Sequence, residues 1–183
     1  MRLPVRYERI GEYPVEFAEN FVSLIEEADW GVLDYRKAMV AATSQTAYDS
    51  MVFRHSKSYS SDAIEDFPLR IKYEAALAPF IGWCRQHYQV KEWVALAARL
   101  RPGEQVKPHC DSGEFLERIH RLHFPLQTNE QAVYGVEEEL KHMPVGTCYE
   151  IDNQRLHYVV NGGSTDRIHL IVNIYGQRII TSE

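Results

Sequence analysis

A histidine and an aspartate stand two apart near the middle of this chain, in Arg99-Leu-Arg-Pro-Gly-Glu-Gln-Val-Lys-Pro-His109-Cys-Asp111. Their segment reads as a strand, and side chains alternate across a strand with period two, so His109 and Asp111 project from one face. Two ligands of different type on one face, joined by a second histidine from elsewhere, make the 2-His-1-carboxylate set of non-heme Fe(II) centres. His157 is the leading candidate for that third position, because Arg167 follows it on a strongly β-patterned segment. In a chain with eight histidines a His-x-Asp spacing is a weak signal by itself. A polar turn would explain it as well, and the surrounding strands have to carry the argument.

Two of those strands repeat the theme. In Arg118-Ile-His-Arg121-Leu-His123-Phe-Pro-Leu126 the alternation puts Arg121 and His123 on one face and Leu122, Phe124 and Leu126 on the other. From Arg167 to Tyr175, Ile168, Leu170, Val172 and Ile174 form an unbroken apolar face. Arg167, His169, Ile171, Asn173 and Tyr175 share the opposite one. A polar strand face ordinarily means solvent. Three strands that each carry His or Arg on one face fit better with a polar cavity between two sheets. His169 reads as a pocket wall rather than a ligand, and His120 points away from Arg121. His87 and His142 read as surface residues, and Cys110, facing away from the ligands that flank it, as a small core residue.

The elements that must position these residues follow from periodicity. Residues 14–29 read as an amphipathic helix, with Pro14 at its start and Phe17, Phe21, Leu24, Ile25 and Ala28 at helical spacing. Residues 43–68, rich in Thr, Ser, Asp and Gln, read as a long loop, either a substrate-contacting lid or a solvated connection, with Arg54 and His55 its residues of interest. Residues 70–88 look helical again, with Leu77, Phe80, Ile81, Cys84 and Tyr88 on one stripe. Pro79 either kinks this helix or begins its main part. From Val90 the pattern turns to β, and six further strands are expected at 105–111, 118–127, 131–137, 147–152, 156–161 and 166–175, without intervening helices. The expected architecture is mainly β with N-terminal helices, a jelly roll, in one domain spanning 1–183: a helical and loop part over 1–92 and a jelly-roll core over 93–175.

Composition excludes several functions. The 183 residues carry a net charge of −6 and no basic stripe, which argues against nucleic acid as a partner. The three cysteines, Cys84, Cys110 and Cys148, cannot all pair and lack metal-knuckle spacing, as expected in a reducing cytoplasm. The first residues have no apolar signal core, and no run approaches membrane-spanning length, so a soluble, cytoplasmic protein is expected.

Three ordered motifs together resemble one family. They are Pro-Gly-x4-Pro-His109-x-Asp111; Arg121-x-His123-x-Pro-Leu-x-Thr-Asn129; and Asp152-Asn-x3-His157, followed by Asn161-x-Gly-x3-Arg167-Ile-His-Leu. Over residues 93–175 the chain resembles the aspartyl/asparaginyl β-hydroxylases, Fe(II)/2-oxoglutarate-dependent dioxygenases with a double-stranded β-helix, or cupin-like, fold. The resemblance implies that His109, Asp111 and His157 bind Fe(II) and that Arg167, ten residues after His157, binds the distal carboxylate of 2-oxoglutarate. It also implies that Arg121 and His123 line the same co-substrate site. A serine that some relatives place before the first ligand is Ala98 here. With O2 as the second co-substrate, the implied reaction is hydroxylation of an unactivated C–H, with succinate and CO2 as co-products.

Some members acting on proteins lack the carboxylate ligand. The retained Asp111 favours a free amino acid or small amino-acid derivative as substrate. The alternative is an Asp or Asn side chain in a peptide or protein. A reading of another class is a cupin-like metal- or ligand-binding module without catalysis, against which the full ligand set and Arg167 argue. Either a small molecule or a peptide is thus the expected partner.

Overall fold

The computed structural model describes residues 5–31, 48–56, 64–111 and 114–179. Two antiparallel sheets face one another. The larger has seven strands in the order β1-β9-β6-β11-β4-β2-β3 and the smaller four, β5-β10-β7-β8. In chain order these strands are β1 (Tyr7–Glu12), β2 (Asp49–Ser56), β3 (Ile64–Asp66), β4 (Tyr88–Leu100), β5 (Gln105–His109) and β6 (His120–Gln127). They continue with β7 (Ala132–Val136), β8 (Glu139–Lys141), β9 (Thr147–Ile151), β10 (His157–Asn161) and β11 (Arg167–Arg178). The helices are α1 (Val15–Ser23), α2 (Leu69–Lys72), α3 (Glu74–His87) and α4 (Glu114–Glu117), with a 3-10 turn at Glu27–Asp29. The fold is a jelly roll with α1 and α3 packed on the outer face of the large sheet.

β11 lies at the centre of the large sheet, and its two faces explain the layering. Ile168, Leu170, Val172 and Ile174 join Leu122, Phe124 and Leu126 of β6 beneath Phe21 of α1 and Leu77, Phe80 and Trp83 of α3 in one apolar cluster. Phe124 sits at its centre, with the rings of Tyr13, Phe80 and Trp83 at 5.4, 5.3 and 5.3 Å in edge contacts. The same side takes a polar group: Glu150 receives the Tyr88 hydroxyl at 2.9 Å and pairs with Nδ1 of His120 at 2.6 Å, all three buried. His120 therefore does point away from Arg121, as alternation requires.

Several expectations change. The first helix ends at Ser23, not 29, because Glu26 is extended and caps the 3-10 turn reciprocally with Asp29; Leu24 and Ala28 are exposed. β1 was not expected. It is a charged edge strand with a bulge between Arg9 and Gly11, where a side chain at Gly11 would crowd Trp83. Within 43–68, residues 49–56 and 64–66 form β2 and β3 rather than loop, and Arg54 bonds Asp66 and Glu92 across that ladder. Residues 43–47 and 57–63 of that expected loop lie outside the described residues. α3 runs through Pro79, and Tyr88 already belongs to β4. A short helix, α4, intervenes between β5 and β6, and β8 is an additional edge strand.

No helix among the described residues is long and apolar enough to cross a membrane. Truncating the central ring, Phe124→Ala, should leave a cavity the surrounding aromatics cannot close, and lower stability by about 3–5 kcal/mol. Guanidinium denaturation at constant m-value measures that loss.

Candidate active site

β5 and β10 are neighbours, and their register sets His109 directly opposite His157. The two imidazole centroids are 4.2 Å apart. Each ring is oriented by its own chain, because a ring nitrogen facing a carbonyl must carry the proton. Nδ1 of His109 donates to the Lys107 carbonyl and Nδ1 of His157 to the Arg155 carbonyl, both at 2.8 Å. This leaves the Nε2 lone pairs free for a common centre.

Asp111 lies just beyond β5, so the strand does not position it. Its N–H donates to the Asn153 carbonyl at 2.9 Å, and the Asn153 amide returns a bond to Oδ2 at 3.3 Å. The Arg121 guanidinium also bonds Oδ2, and Nε of Arg121 donates to Asn173 Oδ1 at 3.1 Å. Oδ1 is left facing Nε2 of His109 at 3.6 Å. One atom from each of His109, Asp111 and His157 lies within 4.8 Å of the others. The turn before His157 is braced in its turn, Arg155 reaching Asp152 at 3.1 Å and Glu137 at 3.2 Å.

The remaining groups line the inner face of the large sheet. The register pairs His123 with Ile171 and Arg121 with Asn173, so the polar faces of β6 and β11 point the same way, toward the small sheet. The His123 ring lies 5.3 Å from that of Tyr134 on β7 and 5.7 Å from that of His169. Arg167 is 4% exposed, and its Nη2 lies 3.0 Å from Nδ1 of His169. Among the described residues no carboxylate pairs with it. Beside these groups, Val52, Leu96 and Ala98 with Tyr48, Phe67 and Ile171 form an apolar wall.

The structure thus brings together all six residues singled out by sequence: His109, Asp111, Arg121, His123, His157 and Arg167. It adds Asn153, Asn173 and Tyr134. Asn173 is visible on the polar face of β11, and Asn153 stands in the Asp152-Asn-x3-His157 motif, which does not itself tie it to Asp111. Cys110 is exposed, not a core residue, since β5 ends at His109 and alternation no longer governs it. Cys84 and Cys148 are buried free thiols. His87 is half-buried, stacked on Trp83 at 3.8 Å, and His142 is half-buried too, so neither is a plain surface residue.

The sequence profile of the family described as aspartyl/asparaginyl beta-hydroxylase matches residues 76–176, more than half of the 183. The chain belongs to that family. It is a 2-oxoglutarate-dependent oxygenase, and Fe(II), 2-oxoglutarate and O2 are its cofactor and co-substrates. The viral collagen prolyl hydroxylase of Paramecium bursaria Chlorella virus-1, solved as a 2OG complex, superposes with a TM-score of 0.54 at 13% identity, over 97% of this chain and 98% of that one. An oxidoreductase of the 2OG-Fe(II) oxygenase family from Burkholderia pseudomallei gives 0.56 at 10% identity, over 96% and 98%. At these identities the likeness is one of fold. No curated protein matches the chain.

The donor set of this family member suits the metal. Two imidazoles and one carboxylate could hold Fe(II) and leave positions open. Burial, followed by repulsion from His109, pushes the His157 imidazole down to about 4 against the pull of Asp111, so the ring is neutral and able to donate its lone pair. Burial opposes the charge on Asp111, but Arg121, His157 and His109 outweigh it and hold the carboxyl below its usual range. Burial and the nearby Arg167 push His123 and His169 well below the ordinary imidazole range. Burial also lowers Arg167, to about 10.

These shifts have a sign. An imidazole depressed in the folded state is protonated first in the unfolded chain, so the stability present above about pH 6.5 is lost as pH falls toward the folded values. His123, His157 and His169 all add to that loss. Asp111 adds its loss only below about pH 4. Urea denaturation of the chelator-treated protein at pH 7, 6 and 5 should therefore show a steep fall, which replacement of His123 and His169 by Gln flattens.

Proposed function

We propose that His109, Asp111 and His157 hold Fe(II), that Arg167 binds the distal carboxylate of 2-oxoglutarate, and that the enzyme hydroxylates a free amino acid or small amino-acid derivative. The observation that carries the site assignment is the cluster itself: one ring nitrogen from each histidine and a carboxylate oxygen within 4.8 Å, beside a deeply buried guanidinium that has no carboxylate partner among the described residues. An unpaired charge in such a place costs several kcal/mol, and a carboxylate presented by a ligand offsets that cost with two parallel hydrogen bonds. The complete ligand set, with Asp111 retained, supports the small-substrate reading.

When bound, Fe(II) with 2-oxoglutarate and O2 supplies the oxidising power for C–H hydroxylation, releasing succinate and CO2. The chain's own residues do the rest. Asp111 would contribute a negative charge to the metal site and is kept ionised by Arg121, which Asn173 orients. The carbonyls of Lys107 and Arg155 hold both imidazoles in the ligating tautomer. His123 contributes neutral polar edges to the co-substrate cavity. Val52, Leu96 and Ile171 exclude water and give the reacting C–H an apolar wall to lie against.

Replacing Asp111 by Ala should abolish tight Fe(II) binding and nearly all turnover in a protein that stays folded. A folded variant with wild-type iron content and rate would remove Asp111 from the site. Arg167→Met should raise the 2-oxoglutarate requirement at least about tenfold with Fe(II) binding retained, since breaking a desolvated charge pair costs about 2–5 kcal/mol. Arg167→Lys, which keeps the charge but loses the fork, should fall between. Titration of 2-oxoglutarate into the anaerobic Fe(II) protein, followed by charge-transfer absorbance, measures both. The substrate class is tested by a panel of amino acids and peptides scored for substrate-stimulated succinate and a mass gain of one oxygen. Activity confined to peptides would contradict the small-substrate reading.

A further inference from the structure

One imidazole on the inner face of β11 has no task in the account above. His169 is 1% exposed, and its Nδ1 lies 3.0 Å from Nη2 of Arg167. A guanidinium can only donate, so Nδ1 accepts and the ring proton sits on Nε2. That Nε2–H is buried and has no hydrogen-bond partner among the described residues. Its cross-strand neighbours cannot supply one. His169 stands opposite Ala98 on β4 and Pro125 on β6, neither of which has a polar side-chain atom. The His123 ring stands edge-on at 5.7 Å, and both its nitrogens are likewise buried and unpartnered. Native structures rarely leave a buried donor unmade, because its desolvation is then uncompensated. Here a fixed N–H donor sits two residues from a guanidinium that has no carboxylate partner among the described residues, on the same face of one strand.

We propose that His169 is a further co-substrate-binding residue, its Nε2–H donating to an anionic oxygen of the dicarboxylate whose distal end Arg167 holds. The proposal rests on the reading of Arg167 given above. Arg167 then acts twice, as the partner of the distal carboxylate and as the group that locks the neighbouring imidazole in its donor tautomer. In the opposite tautomer His169 would turn a lone pair toward an anion and lose its bond to Arg167. Burial keeps the ring neutral, so the donor is available without a change of protonation.

The test uses the full chain loaded with Zn(II) in place of Fe(II), so that binding is read without turnover. In imidazole-selective 15N–1H spectra the His169 Nε2 should carry the proton before ligand is added, and its Hε2 resonance should move downfield when 2-oxoglutarate saturates the protein. His169→Asn keeps an acceptor toward Arg167 and removes the far donor. By calorimetry it should weaken 2-oxoglutarate at least about tenfold, as expected for a hydrogen bond to a charged group. An Hε2 resonance unmoved at saturation, or a dissociation constant within twofold of wild type for the Asn variant, would overturn the role of His169 while leaving Arg167 in place. Failure of the wild-type protein to bind 2-oxoglutarate at all would overturn both.

Discussion

The site depends on one register. β5 and β10 pair so that His109 and His157 meet across the ladder, and a slip of one residue would turn one imidazole out of the cavity. Little else in the small sheet could correct such a slip, because the third group, Asp111, is not on the strand. It is held from the side by Asn153 and Arg121. The turn ahead of His157 is in turn fixed by Arg155, Asp152 and Glu137. A hydrogen-bonded frame of buried and half-buried charges thus serves a cluster of three side chains.

The large sheet plays the complementary part. Its outer face is closed by apolar contact with α1 and α3, which fixes β6 and β11 against the helices. On the inner face Arg167, His169 and His123 are held in surroundings that oppose charge and, among the described residues, leave imidazole edges unpaired. A cavity of this kind is costly in the free protein and selective when filled, because the cost is recovered only by a ligand that presents anionic oxygen at the right place. The apolar wall of Val52, Leu96 and Ile171 beside it sorts the cavity into a polar end and an apolar side.

The inward polar face was legible in the sequence because alternation in a strand is strict, and β6 and β11 are long enough to show it. The same rule separated His120 from Arg121, and the buried His120–Glu150 pair agrees with it. Where the rule had no strand to act on, it misled: β5 stops at His109, and Cys110 faces solvent. β1, β3 and β8 escaped notice because edge strands this short and charged owe their form to a neighbour rather than to their own pattern. β2 was hidden for a different reason. Its polar flanks suggested a loop, although Met51, Val52 and Phe53 are buried in the sheet. The first helix is shorter than its periodicity suggests because Leu24, Ile25 and Ala28 keep helical spacing past a backbone that has already turned. Asn153 stands in the Asp152-Asn-x3-His157 motif, but its bond to Asp111, 42 positions away, is a contact across the fold that no local pattern encodes.

The central claim is that one Fe(II) sits between His109, Asp111 and His157 with 2-oxoglutarate reaching from it to Arg167. Anomalous diffraction at the iron edge, from crystals grown without oxygen in Fe(II) and 2-oxoglutarate, tests it most directly. The account predicts a single iron peak within bonding distance of the two Nε2 atoms and an Asp111 oxygen, with the distal carboxylate on the Arg167 guanidinium. Iron bound by other residues, or a co-substrate lying away from Arg167, would contradict it.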